Sequence, residues 1–395
     1  MRVGVFLDDI RPEAGGGFTF VHDVVDAFKT IAHQSHHEFV LYCPPDYARH
    51  LATQTLPDNV RVAAIAPRGT IGRMISGIRH YLPISGFALR KPGALERHAR
   101  RDGVQVMWFV GGFHDTLDIP YVSTVWDLQH RTHPWFPEVS ANWLWDHREL
   151  VISRHLQRAA RVITGTEVGR RQIEKFYGVP NENVRIIPHP TPGFALRAAA
   201  SPTSERTPPN GPFMFYPAQF WAHKNHINLL LAWRELLKKT TNPPTLVFVG
   251  SDKGNKGFVE SKIQELGLND HVQIYGFVTR ETLVALYRHA EALVYGSFSG
   301  PENLPPLEAF ALGCPVIASD FPGVREQLSD AALYFDPHDP NSICAAIWRF
   351  LHEPSVRTEL LARGQTRAVR QTGETFVRSI FELFDEFETE RRCWA

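Results

Sequence analysis

The chain has 395 residues, enough for two domains with substantial cores, and its 43% apolar and 21% charged content is ordinary for a globular enzyme. Forty-two basic residues balance forty-two acidic ones, so no global field points to nucleic acid. Cys43, Cys314, Cys344 and Cys393 are scattered without CxxC or His/Cys spacing, which reads as reduced thiols in a cytoplasmic protein and gives no zinc motif. The opening MRVGVFL reads as a strand rather than a signal peptide, and no run approaches the roughly 20 apolar residues of a membrane span.

In chain order, Arg2 to Leu7 reads as a buried parallel strand. Gly15-Gly16-Gly17 then precedes a helical pattern from Phe18 to Phe28, with Phe20, Val21, Val24, Val25 and Phe28 on one face. Strand, glycine turn and helix make a Rossmann-like opening. Without GxGxxG and an acid after the second strand, no nicotinamide cofactor is expected. Two readings of the glycines stand: a flexible turn, or bare backbone at Gly16 and Gly17 that admits a phosphate or sugar. Strands follow at 38–42, 60–65, 104–109 and 121–125. Residues 68–101 carry eight basic side chains against Glu96 alone, interleaved with apolar residues. That stretch is either a solvated helix face packed on a sheet or a basic amphipathic surface for peripheral membrane contact.

The strand at 121–125 runs into Trp126 and Asp127, and Asp127 at a strand's carboxyl end is a candidate to accept from substrate hydroxyls. The aromatic run Trp135, Phe136, Trp143 and Trp145 suits core or lid packing, with sugar stacking as the weaker reading. Strands at 161–164 and 184–187, separated by a helix capped by Thr166, close the first half. Residues 191–212, rich in Pro, Ala, Ser and Thr, read as an interdomain linker. The expected division is a first domain at 1–190, a linker at 191–212 and a second domain at 213–373. In the second, strands at 213–216, 245–249, 272–277, 292–295 and 332–335 alternate with helices. Phe376, Ile380, Phe381, Phe384 and Phe387 recur at helical spacing and predict a final helix over 374–391 that packs back on the first domain.

The densest stretch is 291–320, EALVYGSFSGPENLPPLEAFALGCPVIASD. A short apolar strand ends in a small polar loop, Gly296 to Asn303. Pro305 and Pro306 then open a helix, Gly313 stops it, and Pro315 to Ala318 begins another strand. Loops after the carboxyl ends of parallel strands bind ligands in α/β proteins, and a helix N-terminus there offers N–H groups to an anion. Asn303 and Leu304 are the residues expected to present them. Glu308 sits inside the helix among apolar neighbours.

This stretch resembles the signature of retaining, nucleotide-sugar-dependent glycosyltransferases of family four. Their GT-B fold is two Rossmann-like α/β domains whose parallel sheets face each other across a donor cleft. Leu304-Pro305, Glu308-Ala309 and Gly313-Cys314-Pro315-Val316-Ile317-Ala318 match in order and spacing. The family's first glutamate is replaced by Gly300, with Glu302 two residues on as the candidate substitute. The resemblance also implies a diphosphate-binding arginine and lysine after the first strand of the second domain; Gln219 stands in the first place and Lys224 in the second. It further places the nucleobase at Phe277 and Val278 and the donor ribose at Glu308. A sugar-contacting histidine is expected next to Asp127, where Trp126 stands, so His130 or His133 is the candidate imidazole.

Such a site would transfer a hexose from a nucleoside-diphosphate sugar to a hydroxyl of a saccharide or lipid-linked acceptor. The family resemblance implies retention, no metal and no cofactor, with mannose and O-antigen or other polysaccharide assembly as the implied setting. Fixed dipoles and cations would stabilise the departing diphosphate. The alternatives are a sugar-nucleotide epimerase or phosphorylase on the same fold, or a non-catalytic sugar-binding scaffold that Gly300 and Gln219 would suit.

Overall fold

The computed structural model describes residues 1–8, 15–65, 93–111, 116–200, 209 and 211–394. The central strands are short runs of apolar, mostly β-branched or aromatic residues buried on both faces, the composition that parallel sheets covered by helices require, while the edge strands are partly exposed. Seven form the first sheet: β1 (Arg2–Phe6), β2 (Glu38–Cys43), β3 (Val60–Ala64), β4 (Val106–Phe109), β5 (Tyr121–Thr124), β6 (Arg161–Thr164) and β7 (Val184–Ile186). Their spatial order is β3-β2-β1-β4-β5-β6-β7, all parallel.

The second sheet holds β8 (Phe213–Pro217), β9 (Thr245–Val249), β10 (Val272–Ile274), β11 (Ala292–Tyr295), β12 (Val316–Ser319) and β13 (Ala332–Phe335), in the order β10-β9-β8-β11-β12-β13. In both sheets the winding direction reverses between the first strand and the strand beside it: β1 against β4, and β8 against β11. At those two points the loops diverge to opposite faces and leave a crevice.

The helix Gly373–Arg391 returns to the first sheet. Its Phe376 meets Phe20 with ring centroids 5.4 Å apart, Phe381 meets Phe39 at 5.4 Å, and Phe384 meets Trp108 at 6.3 Å. Each such buried side chain stabilises by about 1.5–3 kcal/mol relative to exposure. The N-cap Thr372 accepts from the Thr375 N–H, and the Thr375 hydroxyl accepts from the Thr372 N–H, so the helix begins at a reciprocal cap.

Among the described residues several helices have no counterpart in the periodicity reading. Leu144–Arg158 is the longest in the aromatic run, and Asn142 and Trp143 enter it with φ of 55° and 61°. Pro354–Ala368 and Pro45–Ala52 are two more. The expected linker begins with a helix, Gly193–Ala199, whose Phe194 and Ala195 are buried. Its remainder, at 201–208 and 210, lies outside the described residues, as does most of the basic stretch, from 68 to 92. Residues 94–101 of that stretch form a helix with Leu95 and Ala99 in the core and Arg100 paired to Glu96. Among the described residues no helix is long and apolar enough to cross a membrane.

Candidate functional site at the facing sheet ends

The loops leaving β8 and β11 carry most of the residues predicted for the donor. Lys224 ends a single 3-10 turn, Ala222–Lys224, and Asn225 follows in the left-handed region at φ 57°. The Asn225 amide donates to the carbonyls of Gly296 at 3.0 Å and Pro337 at 2.9 Å, tying the β8 loop to the end of β11. Lys224 Nζ donates to the Tyr295 hydroxyl at 3.0 Å, and that hydroxyl donates to Asn303 Oδ1 at 2.6 Å. The Asn303 amide donates in turn to the Gly300 carbonyl at 2.7 Å. One chain of hydrogen bonds therefore fixes the cation, the signature loop and the start of the signature helix.

Gln219 does not reproduce an arginine. Its Oε1 accepts from Trp221 Nε1 at 3.0 Å and its Nε2 donates to Ser251 Oγ at 3.2 Å. The amide also lies 3.4 Å from where a Cβ on Gly15 would stand, and Gly15 has φ 70°. Phe277 is 66% exposed beside Gly276 at φ 65°, leaving an aromatic face open next to Val278 at the carboxyl end of β10.

The signature helix Leu304–Ala311 corrects one expectation. Asn303 N–H donates to Gln327 Oε1 at 3.0 Å, and Gln327 Nε2 donates back to the Asn303 carbonyl at 3.0 Å. Pro305 and Pro306 have no N–H. Of the expected pair of donors only the Leu304 N–H remains for an anion. Glu308 is buried on the next turn and accepts from the Tyr287 hydroxyl at 2.7 Å. Burial lifts its pKa to about 7, Tyr287 works the other way, Asp23 of the first domain adds to the rise and Arg280 opposes it. Asp23 is itself pushed up by burial to about 6.

Gly300 and Glu302 behave differently from the family pattern. Gly300 has φ 117°, and a Cβ there would stand 2.8 Å from Asn303 Oδ1, so a glutamate cannot occupy this backbone without refolding the loop. Glu302, the expected substitute, points away from the donor loops. It crosses to the first domain, accepts from the His189 N–H at 2.6 Å and lies against Gly165. Burial raises its pKa to about 8, so it is a neutral carboxylic acid at pH 7. Sugar recognition by Glu302 is therefore not what this conformation offers, and its contact is one that holds the domains together.

The first domain contributes unequally. Asp127 stays partly exposed, accepts from the Gln129 N–H at 2.8 Å and pairs with Arg148 at 3.0 Å. Burial disfavours its charge, but Arg148 and the Gln129 N–H hold the carboxyl below its ordinary range. His130 is fully buried, with Nε2 3.0 Å from the Tyr177 hydroxyl and 3.3 Å from Glu149. Burial drops its pKa to about 4. It is an interior residue rather than a cleft imidazole, because the four-residue helix Gln129–Thr132 turns it under the Leu144–Arg158 helix. His133 is the better placed of the two, stacked on Phe136 at 6.0 Å and within electrostatic range of His338 of the second domain.

The glycine loop has mixed duties. The indole of Trp126 lies 3.1 Å from a Cβ built on Gly17 and 2.5 Å from one on Gly111, so those two glycines make room for the ring. Gly16 is exposed and faces Leu304 Cδ1 at 3.8 Å, which leaves it as the glycine at the cleft.

Glu138 was not legible in the sequence. It lies in the short helix Pro137–Ser140 and accepts from the His223 N–H at 2.8 Å and from His223 Nδ1, next to Lys224 in chain order. Its Oε2 is buried without a hydrogen-bond partner. Burial opposes its ionisation, yet the His223 hydrogen bonds hold the carboxyl below the usual range. Its one sequence signal is an acid within an aromatic run. Phe136 stacks on Phe298 at 5.9 Å beside it, and Glu326 accepts from the N–H groups of Glu167 and Val168 at 2.5 and 3.1 Å. These contacts, with Glu302, close the cleft. Because the Glu302 carboxylate fills the space where a Gly165 Cβ would go, Gly165→Ala should hold the domains apart. Small-angle scattering should show a larger radius of gyration at unchanged helix content; an unchanged radius would separate Gly165 from closure.

Two parallel-sheet α/β domains with their ligand-binding crevices face to face define the GT-B architecture. Residues 199–367 match the family model Glycosyl transferases group 1. It is 27% identical over 251 residues, 60% of its length and 55% of the relative's, to D-inositol 3-phosphate glycosyltransferase of Acidothermus cellulolyticus. It is 28% identical to the O-antigen chain mannosyltransferase RfbU of Salmonella typhimurium over 50% of this chain and 52% of the other. It is 32% identical to O-antigen chain mannosyltransferase B of Escherichia coli over 40% and 41%. The chain thus spans about half the length of the curated relatives it matches. Among solved structures, sucrose-phosphate synthase from Thermosynechococcus elongatus aligns with a TM-score of 0.70 at 18% identity, covering 98% of this chain and 99% of the other. The Anabaena protein HepE in complex with UDP and glucose aligns at 0.66 and 15%, covering 98% and 100%. These likenesses carry the fold.

Proposed function

We propose that the protein is a retaining glycosyltransferase that moves a hexose from a nucleoside-diphosphate sugar to a hydroxyl of a saccharide or lipid-linked acceptor. The observation that carries this reading is a cation fixed at the second domain's switch point, in a loop that faces the first domain's glycine turn where Gln219 meets Gly15 and Leu304 meets Gly16. Lys224 is oriented by Tyr295 and Asn303 toward the loop ends where a diphosphate would lie. The mannosyltransferase relatives favour mannose and O-antigen or related polysaccharide assembly. Retention and independence from metal follow the family resemblance, and cytoplasmic placement at a membrane face follows the implied acceptor.

In this reading, Lys224 and the Leu304 N–H stabilise charge that develops on the leaving diphosphate. Such preorganised donors act mainly on the transition state. Phe277 offers a face to the base, and Glu308 takes the ribose diol. A diol donates to a carboxylate, so donor binding favours ionised Glu308. Affinity should therefore rise as pH climbs through about 7, the value of Glu308, and level off above it. Calorimetric titration of the nucleotide from pH 6 to 8 checks this, and Glu308→Gln should flatten the profile. An equally steep profile in that variant would remove Glu308 from the ribose site.

The deciding experiment is thermal shift against UDP, GDP, ADP and dTDP, with magnesium and with a chelator, followed by transfer assays with the matching sugar donors. Saturation at a hundred times the dissociation constant stabilises by about 2.7 kcal/mol. A rise for one nucleotide, equal in both conditions, supports the metal-free transferase. No response to any of the four favours the scaffold reading, for which the hydrogen-bonded Gln219 and the glycine at 300 are the supporting features.

A further inference from the structure

Away from the cleft, four potential metal ligands converge where the final helix meets the first sheet. His36 and His37 lie between the 3-10 turn Ala32–Gln34 and β2. Asp385 and Glu388 sit three residues apart on the helix Gly373–Arg391, hence on one face. His36 Nε2 is 2.8 Å from Glu388 Oε2, and His36 Nδ1 is 3.7 Å from Asp385. The two imidazoles stand 4.1 Å apart, centroid to centroid. One ligand atom each from His36, His37 and Glu388 lies within 4.8 Å of the others.

His37 gives the second, independent pointer. It is fully buried, and its Nε2 approaches Asp385 at 3.1 Å without hydrogen-bond alignment, leaving a buried ring nitrogen unpartnered. Its Nδ1 is 3.0 Å from the Met1 amine, which is 3.1 Å from Glu388 Oε1. Buried polar atoms without partners are uncommon because each forfeits its solvation.

We propose that His36, His37, Asp385 and Glu388 form a divalent-metal site that clips the final helix to the first sheet. Two imidazoles and two carboxylates suit zinc, which takes nitrogen and oxygen ligands at about 2.0–2.2 Å; His36, His37 and Glu388 already converge, and Asp385, beside both imidazoles, would complete the set. Hard oxygen-seeking ions such as magnesium or calcium are disfavoured by the imidazoles. The site stands apart from the transferase reading and shares no residue with it.

The test is calorimetric titration of zinc chloride into the full chain after dialysis against chelator, with thermal unfolding in parallel. The expected result is one tight equivalent per chain and a raised melting temperature. His36→Ala and Asp385→Asn change exposed side chains, so both should fold without metal, and each should weaken that equivalent by at least about tenfold. His147→Ala, an exposed histidine elsewhere, should leave it unchanged. Cobalt in place of zinc should show visible ligand-field bands that are lost in His36→Ala. Absence of a tight equivalent, or one that persists in both variants, overturns the proposal.

Discussion

Lys224→Ala should lower kcat/KM for the nucleotide-sugar donor by about 100-fold or more while leaving the protein folded. Removing one preorganised donor from a developing negative charge typically costs about 10²–10³ in rate. The position of the family's arginine is Gln219, whose amide bonds Trp221 and Ser251, so that residue supplies no charge to replace the lost ammonium. The fold should survive, since the Tyr295 hydroxyl keeps its bond to Asn303 and Asn225 still holds the loop. Steady-state kinetics with donor varied, together with melting temperature, check both halves. A loss below about threefold would remove Lys224 from the leaving-group site. Lys224→Arg should recover only part of the rate, because a planar guanidinium does not reproduce the compact ammonium held by Tyr295.

The second large effect is expected at Glu302. Its folded pKa of about 8 lies well above the ordinary carboxyl value of 4.5. The closed protein therefore keeps a proton that the unfolded chain releases above pH 4.5. Stability from this group is complete at low pH and declines as pH rises from about 4.5 toward 8. Glu302 lies between the domains, so opening the cleft hydrates the carboxylate before global unfolding does. Glu302→Gln keeps an acceptor for the His189 N–H and cannot ionise. At pH 9 it should be more stable than the parent by roughly 2–3 kcal/mol, and near pH 5 the two should coincide. Denaturant unfolding at both pH values measures this, and parallel curves would contradict it. The same substitution should shift the open–closed balance at high pH, visible as a smaller radius of gyration than the parent.

The legible part of the site was the part held by local chain geometry. The helix that Pro305 opens and Gly313 stops and the strand on either side of it are short-range consequences of residue type. They appear where spacing put them. His130 shows the opposite case. Two residues separate it from Asp127, too few for a periodicity argument, and the four-residue helix Gln129–Thr132 turns it inward while Asp127 stays partly exposed. Glu302 shows it again: its neighbour in space is Gly165, more than a hundred residues away in the chain, and no local pattern encodes that contact. Glu138 was invisible for the same reason, since its partner His223 belongs to the other domain.

By itself the sequence determined the α/β class, the two sheets, the signature loop and the returning helix, because parallel strands and amphipathic helices write their burial into period and composition. Only the tertiary structure decided which acids lie at the crevice and which pair within the protein. It assigned Glu302 to the domain contact, Glu138 to the donor loop and Asn303 to the hydrogen-bond chain from Lys224. It also brought His36 and His37 to Asp385 and Glu388 across almost the whole chain. Those outcomes depend on burial and on long-range pairing of polar groups, which sequence spacing does not carry.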